Sequence, residues 1–286
     1  MQLAVLGMGS MGRSIAQRVL EAGHGVRVWN RTPGRADQLL EAGAVGCDSP
    51  AAATEGTAAA LVSLADDRAV REVVLDSGLF RHLGDGALVD MSTVSPETSR
   101  AEAEAVPGRR MVAVPVLGAP SAVRAGRAVY VLGGPKALVE ELEPLWSALG
   151  DQHRWWSDDP GVATSLKLLS NYLMMGGLAL LAEAVASGQQ VGLDHQVLHD
   201  FLSESAMVPA GLRNRLDDVL EGHHDGWFAA HLGAKDVRLV RQLAGSAGLQ
   251  LPLAELVEQR YRALEGLELA DADIAAIVEL CRRTAA

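Results

Sequence analysis

Residues 2–12 read QLAVLGMGSMG, and this stretch decides the fold of the first half of the chain. The apolar run QLAVL shows no alternation, which is typical of a parallel β-strand covered on both faces. A helical pattern, RSIAQRVLEAGH, follows the glycines. A glycine-rich loop between a parallel strand and a helix predicts a dinucleotide-binding site. A glycine-rich turn without a ligand is the alternative.

Each glycine of this G-x-G-x-x-G pattern has its own physical role. Gly7 permits a tight turn, Gly9 lets the backbone approach a pyrophosphate, and Gly12 lets the helix pack closely on the strand. The free amides and the positive dipole end of the helix would bind the phosphates. The predicted cofactor-binding residues of the loop are Gly7, Met8, Gly9, Ser10, Met11 and Gly12.

The end of the second predicted strand, VRVWN at residues 26–30, indicates which dinucleotide binds. An acidic residue here would bond the ribose 2′-hydroxyl of NAD, whereas an arginine accommodates the 2′-phosphate of NADP. The chain instead has Asn30, Arg31 and Thr32, and the guanidinium fork suits a phosphate. We therefore predict NADP (NADPH) as the cofactor, with these three residues in its site. The alternative is that Arg31 is a solvated turn residue that does not bind the cofactor.

Strands and helices continue to alternate along the chain. Apolar strands are predicted at residues 58–64 and 87–91, each followed by a helical pattern. This alternation predicts an α/β fold with a doubly wound parallel sheet. Ligands bind such sheets at the carboxyl ends of the strands. The site therefore gains four residues at those ends, namely Leu64, Ala65, Ser92 and Thr93.

The predicted domain boundary lies near Pro160, after further strands and one helix from Gly133 to about Leu149. Beyond it every segment has a helical pattern. We predict a cofactor-binding domain at 1–160, a long interdomain helix at 161–192 and an all-helical domain at 193–286. Helices in the last domain are predicted at about 194–205, 212–220, 228–245, 252–265 and 272–283.

The long helix, which opens GVATSLKLLSNYLMMGGLALLAEA, is apolar almost all the way round. Such a helix is buried in a large core or in a membrane, and the polar Lys167, Asn171 and Glu183 argue against a membrane span. Thr164, Lys167, Ser170 and Asn171 share one helical face. Because an unpaired ammonium on an apolar helix is costly, Lys167 is a candidate functional residue. A lysine that extends to solvent is the alternative.

Composition limits the classes of partner and of site. The chain has 286 residues and a formal net charge of -11, which argues against nucleic acid or an anionic membrane as a general partner. The two cysteines, Cys47 and Cys281, have no ligand spacing, so neither a metal site nor a disulfide framework is supported. No signal-peptide pattern is present, so we expect a cytoplasmic protein.

Six motifs lie in collinear order along the chain, namely GMGSMG, NRT, DMSTVSPET, PVLGAP, GVATSLKLLSN and AKDVRLV. In this order they resemble the β-hydroxyacid dehydrogenase family, which includes 3-hydroxyisobutyrate dehydrogenases and glyoxylate or succinic semialdehyde reductases. The resemblance covers essentially the whole chain. It implies a Rossmann domain, a long interdomain helix and an all-helical domain that forms dimers or tetramers, with the site in the cleft between domains.

The resemblance also implies roles for individual residues. Lys167 matches the family's general acid/base, and Asn171 matches the asparagine that positions the substrate. Chemistry agrees, since hydride transfer to a carbonyl carbon leaves negative charge on oxygen, which an ammonium stabilises and protonates. Thr93 matches a residue beside the nicotinamide, and Lys235 matches a lysine that closes on the cofactor. From the helical pattern alone, Lys235 and Asp236 would form a solvated pair on an outer face.

The substrate loop departs from the family pattern. The family usually has D-A-P-V-S-G-G, whereas residues 113–119 read AVPVLGA. Leu117 replaces the serine and cannot donate a hydrogen bond, so the anchor for a substrate carboxylate is weakened. We therefore expect a more apolar pocket than in a hydroxyacid site. The predicted substrate contacts are Ser92, Leu117, Gly118 and Ala119.

These features predict an NADPH-dependent oxidoreductase that transfers a hydride between the nicotinamide and a small carbonyl or β-hydroxy compound. Two alternatives stay open. Imine reductases also resemble the chain, because their VWNRTP stretch is nearly that of residues 28–33, although they commonly carry Asp or Tyr where Lys167 stands. The altered loop also suits an NADP-binding protein without catalysis. We expect a small-molecule substrate and a homo-oligomer.

Overall fold

A computed structural model describes residues 1–284 of the chain. It contains two compact units, the first covering Met1–Lys167 and the second beginning at Leu168. The division falls inside the long helix Pro160–Gln190. One helix therefore contributes residues to both units.

The first unit is built on a mainly parallel sheet. Its strands within residues 1–284 are β1 Gln2–Leu6, β2 Gly25–Trp29, β3 Val45–Gly46, β4 Ala59–Val62, β5 Ala87–Asp90, β6 Met111–Ala113, β7 Val116–Leu117, β8 Val129–Gly133 and β9 His153–Ser157. They lie in the order β3-β2-β1-β4-β5-β6-β8-β7, with β9 paired to β8. The first six follow the strand order of the dinucleotide-binding fold. The predicted parallel sheet is confirmed, and β8 adds an antiparallel extension next to β6 and β7.

Helices cover both faces of this sheet. They are α1 Ser10–Glu21, α2 Asp37–Glu41, α3 Pro50–Thr54, α4 Asp67–Val70, α5 Pro96–Ala105, α6 Pro120–Arg124, α7 Lys136–Glu141 and α8 Glu143–Leu149, with a π-helical segment Arg71–Asp76 after α4. Alternate strand residues point to opposite faces. Leu3 and Val5 of β1 pack in one apolar cluster with α1 and α8, whereas Ala4 and Leu6 pack in another with α3 and α4. This is the doubly wound arrangement that the alternation predicted.

The carboxyl ends of the strands form one row across the sheet. The paired residues, in order, are Trp29, Leu6, Val62, Asp90, Ala113 and Gly133. Every loop of the predicted cofactor site follows a residue of this row or its neighbour in sequence. The fold therefore gathers those loops along one edge.

The prediction of a single helix from Gly133 to about Leu149 is wrong in extent. Residues 133–149 contain two helices, α7 and α8, and Leu142 lies between them. Pro144 lies in the first turn of α8, has no N–H to donate and would clash inside a continuous helix.

Residues 153–157 form β9, where Trp155 Nε1 donates to the Gly134 carbonyl at 3.0 Å.

The second unit is helical, as predicted. After α9 Pro160–Gln190, its helices within residues 168–284 are α10 His195–Glu204, α11 Ala210–Arg213, α12 Leu216–Glu221, α13 Ala230–Ser246, α14 Pro252–Ala263 and α15 Glu279–Thr284, with 3₁₀ segments at Leu264–Leu267 and Ile274–Val278. The helix predicted at 212–220 is broken at Arg215, whose backbone leaves helical geometry while its buried side chain donates to Asp273. Asp273 in turn caps the 3₁₀ segment that begins the region predicted as one helix at 272–283.

Helix α9 is long and apolar enough to cross a membrane by length and composition alone. Within the second unit it buries Met175, Leu178, Ala182 and Val185 in the apolar cluster of that unit. Two polar side chains along it, Thr164 and Asn171, are buried as well. This pattern is typical of the core helix of a globular protein.

Candidate cofactor and catalytic site

The three glycines of the loop after β1 serve different purposes. Gly7 has a φ of +96°, and a Cβ there would lie 2.2 Å from the Ser63 carbonyl oxygen. A Cβ on Gly12 would lie 1.8 Å from the Gly7 carbonyl oxygen. A Cβ on Gly9 would meet no atom of the described residues within 4 Å. The chain itself thus requires glycine at 7 and 12, whereas the open surface at Gly9 fits a group that approaches the backbone from outside.

Asn30 holds the glycine loop against the end of β2. Its Oδ1 accepts from the Met8 amide at 2.8 Å, and its Nδ2 donates to the Thr32 carbonyl at 2.8 Å. Arg13 fixes the same loop from α1 by donating to the Met8 carbonyl at 2.8 Å. The sequence pattern predicts Asn30 in the cofactor site but not Arg13, because an arginine inside a helical pattern does not reveal a contact with a residue five positions earlier.

Arg31 lies at the surface beside the loop, with its side chain 83% exposed. Its Nη1 lies 3.9 Å from Glu72, and Glu72 accepts a 2.8 Å hydrogen bond from Arg68. Thr32 is exposed as well. No acidic residue occupies positions 30–32 at the end of β2. The guanidinium can therefore reach an anionic group bound at this edge.

The loops after β4 and β5 are joined by a hydrogen bond. The Ser92 hydroxyl, 3% exposed, accepts from the Leu64 amide at 2.9 Å, and the Ser92 amide donates to Asp90 at 2.9 Å. Ala65 is exposed and Thr93 is half-buried. The hydroxyl of Ser92, a predicted substrate contact, thus has partners within the chain.

The predicted substrate loop begins with a partly buried leucine. Leu117 packs against the apolar cluster that contains Leu6, Val62 and Ala113. Gly118 is exposed and has a φ of +137°, and Ala119 precedes the first turn of α6. Within residues 116–119 a substrate would therefore meet an apolar side chain and exposed backbone.

The start of α9 is anchored at the same sheet edge. A Cβ on Gly133 would lie 2.8 Å from the Cβ of Ala163, so the first turn of the helix packs directly on β8. Asp159 accepts from the Gly161 amide at 2.9 Å and receives three side-chain hydrogen bonds from Arg100 of α5, two from Nε and one from Nη2. Lys167, half-buried, follows on the same helix at the end of the first unit.

The second unit contains a buried polar network of three residues. Asn171 Nδ2 donates to Asp236 Oδ2 at 2.6 Å, and Lys235 Nζ lies 3.0 Å from Asp236 Oδ1. These residues are only 2–7% exposed. The solvated outer-face pair expected from the helical pattern at Lys235 and Asp236 is therefore wrong. Helix α13 turns both residues inward because Asp236 balances the ammonium and accepts from Asn171.

Comparison with known proteins identifies the family. Residues 2–157 match the model for the NAD binding domain of 6-phosphogluconate dehydrogenase. Residues 161–281 match the model for the NAD-binding of NADP-dependent 3-hydroxyisobutyrate dehydrogenase. The chain belongs to the β-hydroxyacid dehydrogenase family. As a β-hydroxyacid dehydrogenase family member it is an NAD(P)-dependent oxidoreductase.

Individual similar proteins support the assignment to this family. Glyoxylate/succinic semialdehyde reductase 1 of Arabidopsis thaliana is 30% identical over 283 residues, which cover 98% of each chain. The crystal structure of 3-hydroxyisobutyrate dehydrogenase from Salmonella typhimurium has a TM-score of 0.89 and 25% identity, covering 98% of this chain and 99% of that one. The Streptomyces aurantiacus imine reductase, with a TM-score of 0.66 and 22% identity over 98% and 99% of the two chains, shares the fold.

Proposed function

We propose that the chain is an NADPH-dependent reductase of small carbonyl compounds, with Lys167 as general acid/base and Asn171 as the residue that positions the substrate. The observation that supports the proposal is the packing of α9 at the sheet edge: Ala163 packs on Gly133, which belongs to the same row of strand ends as Leu6, the residue before the glycine loop. The helix that bears Lys167 thus begins level with the strand ends that precede the predicted cofactor loops. NADPH, when bound, supplies a hydride from its nicotinamide ring.

The residues of the chain would supply the acid/base chemistry and would orient the substrate. The ammonium of Lys167 stabilises the negative charge that develops on the carbonyl oxygen and then delivers the proton to it. In the reverse direction the neutral amine accepts the proton of the alcohol. Asn171, one turn further along α9, lies on the same helical face and can bond the same substrate.

Lys167→Ala tests this mechanism. We expect reductase turnover to fall by about a hundredfold or more, as for the loss of a general acid, with NADPH binding retained. Lys136→Ala, on the exposed surface of α7, is the matched control and should keep full activity. Full activity of Lys167→Ala would refute the mechanism.

The preference for NADPH is a separate proposal. It is supported by Arg31 and by the absence of an acidic residue at the end of β2, and the family model of the second half is described as NADP-dependent. We expect Arg31→Ala to weaken NADPH binding by about tenfold and to leave NADH binding unchanged. Arg127→Ala, exposed elsewhere in the first unit, is the control. Tighter binding of NADH than NADPH by the intact chain would contradict the proposal.

The substrate class follows from the loop at 116–119. Leu117 offers no hydrogen bond, so we propose an aldehyde or ketone whose recognition does not depend on a serine–carboxylate bond. An aldehyde, its carboxylate-bearing analogue succinic semialdehyde and a cyclic imine should be assayed side by side. Preferential reduction of the imine would identify an imine reductase, and NADPH binding without turnover of any of them would identify a non-catalytic binding protein.

We also propose a cytoplasmic homo-oligomer formed by the second unit. Three leucines on one face of α9, Leu169, Leu173 and Leu180, are 47%, 75% and 64% exposed, and contiguous exposed apolar surface marks an interaction site. Light scattering after size exclusion should give a mass above that of one chain. Leu173→Glu should lower it, whereas Leu249→Glu, an exposed leucine outside α9, should not. A single-chain mass for the wild type would refute the proposal.

A further inference from the structure

Two carboxyl groups are buried close together in the first unit, one at the end of β5 and one on α5. Asp90 ends β5 and is 1% exposed, and Glu102 lies on α5 and is 0% exposed. The two carboxyls lie close enough for each to change the pKa of the other. Oδ2 of Asp90 and both oxygens of Glu102 are buried and receive no hydrogen bond from a donor group within residues 1–284. Two ionised carboxyls buried together repel each other and have no proton to donate, so one of the pair must be protonated.

The proton belongs on Glu102. Burial and the neighbouring Asp90 raise the pKa of Glu102 well above its usual range. Burial also raises the pKa of Asp90, but hydrogen bonds from the side chain and amide of Ser92 oppose that rise and favour its carboxylate. The other charged groups that face Glu102 are Asp67, which raises its pKa, and Arg71, which lowers it. The adjacent β6 presents only Met, Val and Ala.

The acid pair is connected to the loops that would hold the cofactor. Asp90 Oδ1 accepts from the Ser92 amide at 2.9 Å, and the Ser92 hydroxyl accepts from the Leu64 amide at 2.9 Å. One carboxylate thus orders the residues that follow both β4 and β5. The position of Ser92 depends on Asp90, and the buried charge of Asp90 is tolerated because Glu102 stays neutral and donates to it.

We propose that Asp90 and Glu102 are positioning residues that share one proton, and that this pair holds the loops after β4 and β5 in the arrangement that binds the cofactor. The inference rests on the proposed NADPH-dependent function and extends it. Loss of the shared proton places two negative charges in contact away from water, which drives them apart. The bond from Asp90 to Ser92 then weakens, and with it the bridge to Leu64.

Glu102→Gln tests the shared proton, because its amide can donate to Asp90 but does not titrate. NADPH binding is measured by fluorescence from about pH 6 to about pH 10, the range in which buried carboxylic acids lose their protons. We expect the dissociation constant of the wild type to rise by about tenfold relative to that of Glu102→Gln at the alkaline end. Glu104→Gln, exposed on the same helix, should follow the wild type.

The outcome distinguishes this inference from the proposed function. A wild type that fails to bind NADPH at neutral pH would refute the function. Wild-type binding at neutral pH with coincident pH curves for wild type and Glu102→Gln would refute only the shared-proton pair. A measurement on the wild type alone gives a second test, since infrared difference spectra should contain the carbonyl band of a protonated carboxylic acid at neutral pH. Absence of that band would also overturn the inference.

Asp90 variants separate positioning from stability. Asp90→Ala removes the acceptor of the Ser92 amide, and we expect NADPH to bind the folded variant about tenfold more weakly at neutral pH. Asp90→Asn keeps an acceptor oxygen and should restore most of the affinity. If Asp90→Ala lowers the urea midpoint but binds NADPH as tightly as the wild type, the pair is structural only and the positioning role is refuted.

Discussion

Asn171 and Asp236 are joined by a 2.6 Å hydrogen bond in which the amide nitrogen of Asn171 donates to Oδ2 of the carboxylate. A carboxylate can only accept, so this contact fixes which end of the amide faces Asp236. The other carboxylate oxygen lies 3.0 Å from Lys235 Nζ. One buried aspartate thus sets the orientation of the proposed substrate-positioning residue and balances the charge of a buried lysine.

Asp236→Asn should therefore impair catalysis and stability together. The variant leaves a buried ammonium beside a neutral amide and lets the Asn171 amide reverse. We expect kcat/KM to fall by about tenfold to a hundredfold, the value of a hydrogen bond to a charged group. Steady-state kinetics measures this, with Asp271→Asn, whose side chain is 95% exposed, as the control. Unchanged kcat/KM would mean that the orientation of Asn171 does not matter for the reaction.

Substitution by alanine should have different effects at Gly9 and at Gly12 of the glycine loop. Gly12→Ala places a Cβ 1.8 Å from a backbone oxygen, so we expect the free energy of unfolding of the nucleotide-free protein to fall by about 1–3 kcal/mol. The Cβ added by Gly9→Ala meets no atom of residues 1–284 within 4 Å, so the unfolding curve of the variant should match the wild type while NADPH binding weakens. Urea unfolding and fluorescence titration of both variants give the comparison. Equal NADPH affinity for Gly9→Ala and wild type would argue against cofactor approach at Gly9.

Stability of the second unit should depend on Arg215 and Asp273. Arg215 Nε donates to Asp273 at 2.8 Å, and the same aspartate accepts from the amides of Trp227 and Phe228 at 3.1 Å each. Asp273→Ala leaves a buried guanidinium uncompensated, which costs about 3–5 kcal/mol of unfolding free energy.

Amide hydrogen exchange tests the location as well as the size of that loss. Exchange should accelerate within residues 168–284 and stay unchanged within 1–167, because every contact named for Asp273 lies in the second unit. Asp217→Asn, on an exposed side chain of α12, is the control for the loss of an aspartate charge. Uniform acceleration across the chain would contradict the prediction.

The sequence was informative where local geometry and apolar pattern decide the structure. The spacing of Gly7, Gly9 and Gly12 predicted the strand–loop–helix unit because close packing at Gly7 and Gly12 tolerates no side chain. The apolar runs predicted the sheet because a strand covered on both faces needs no alternation.

Contacts between side chains of different elements could not be predicted in the same way. Asp90 and Glu102 belong to a strand and a helix whose patterns do not reveal that the two carboxyls lie close together. The burial of Lys235 and Asp236 depends on Asn171, which lies sixty-five positions before Asp236. A charged pair on a helix is solvated by default, and only tertiary contacts reverse that expectation.

The side chain at position 117 should influence which substrate the enzyme prefers. Leu117→Ser restores the hydroxyl found at this place in the usual family loop, next to the exposed backbone of Gly118. We expect the ratio of kcat/KM for succinic semialdehyde to that for an uncharged aldehyde of similar length to rise by about tenfold, since a hydroxyl can donate to the carboxylate.

Leu117→Ala is the matched control, because it enlarges the same space without adding a donor. Both variants remove apolar contact with the cluster around Leu6 and Val62, so both should unfold at lower urea concentration than the wild type. A rise in the ratio for serine but not for alanine would assign the change to the hydrogen bond. Equal ratios for the two variants would show that space, and not the missing hydroxyl, sets the preference.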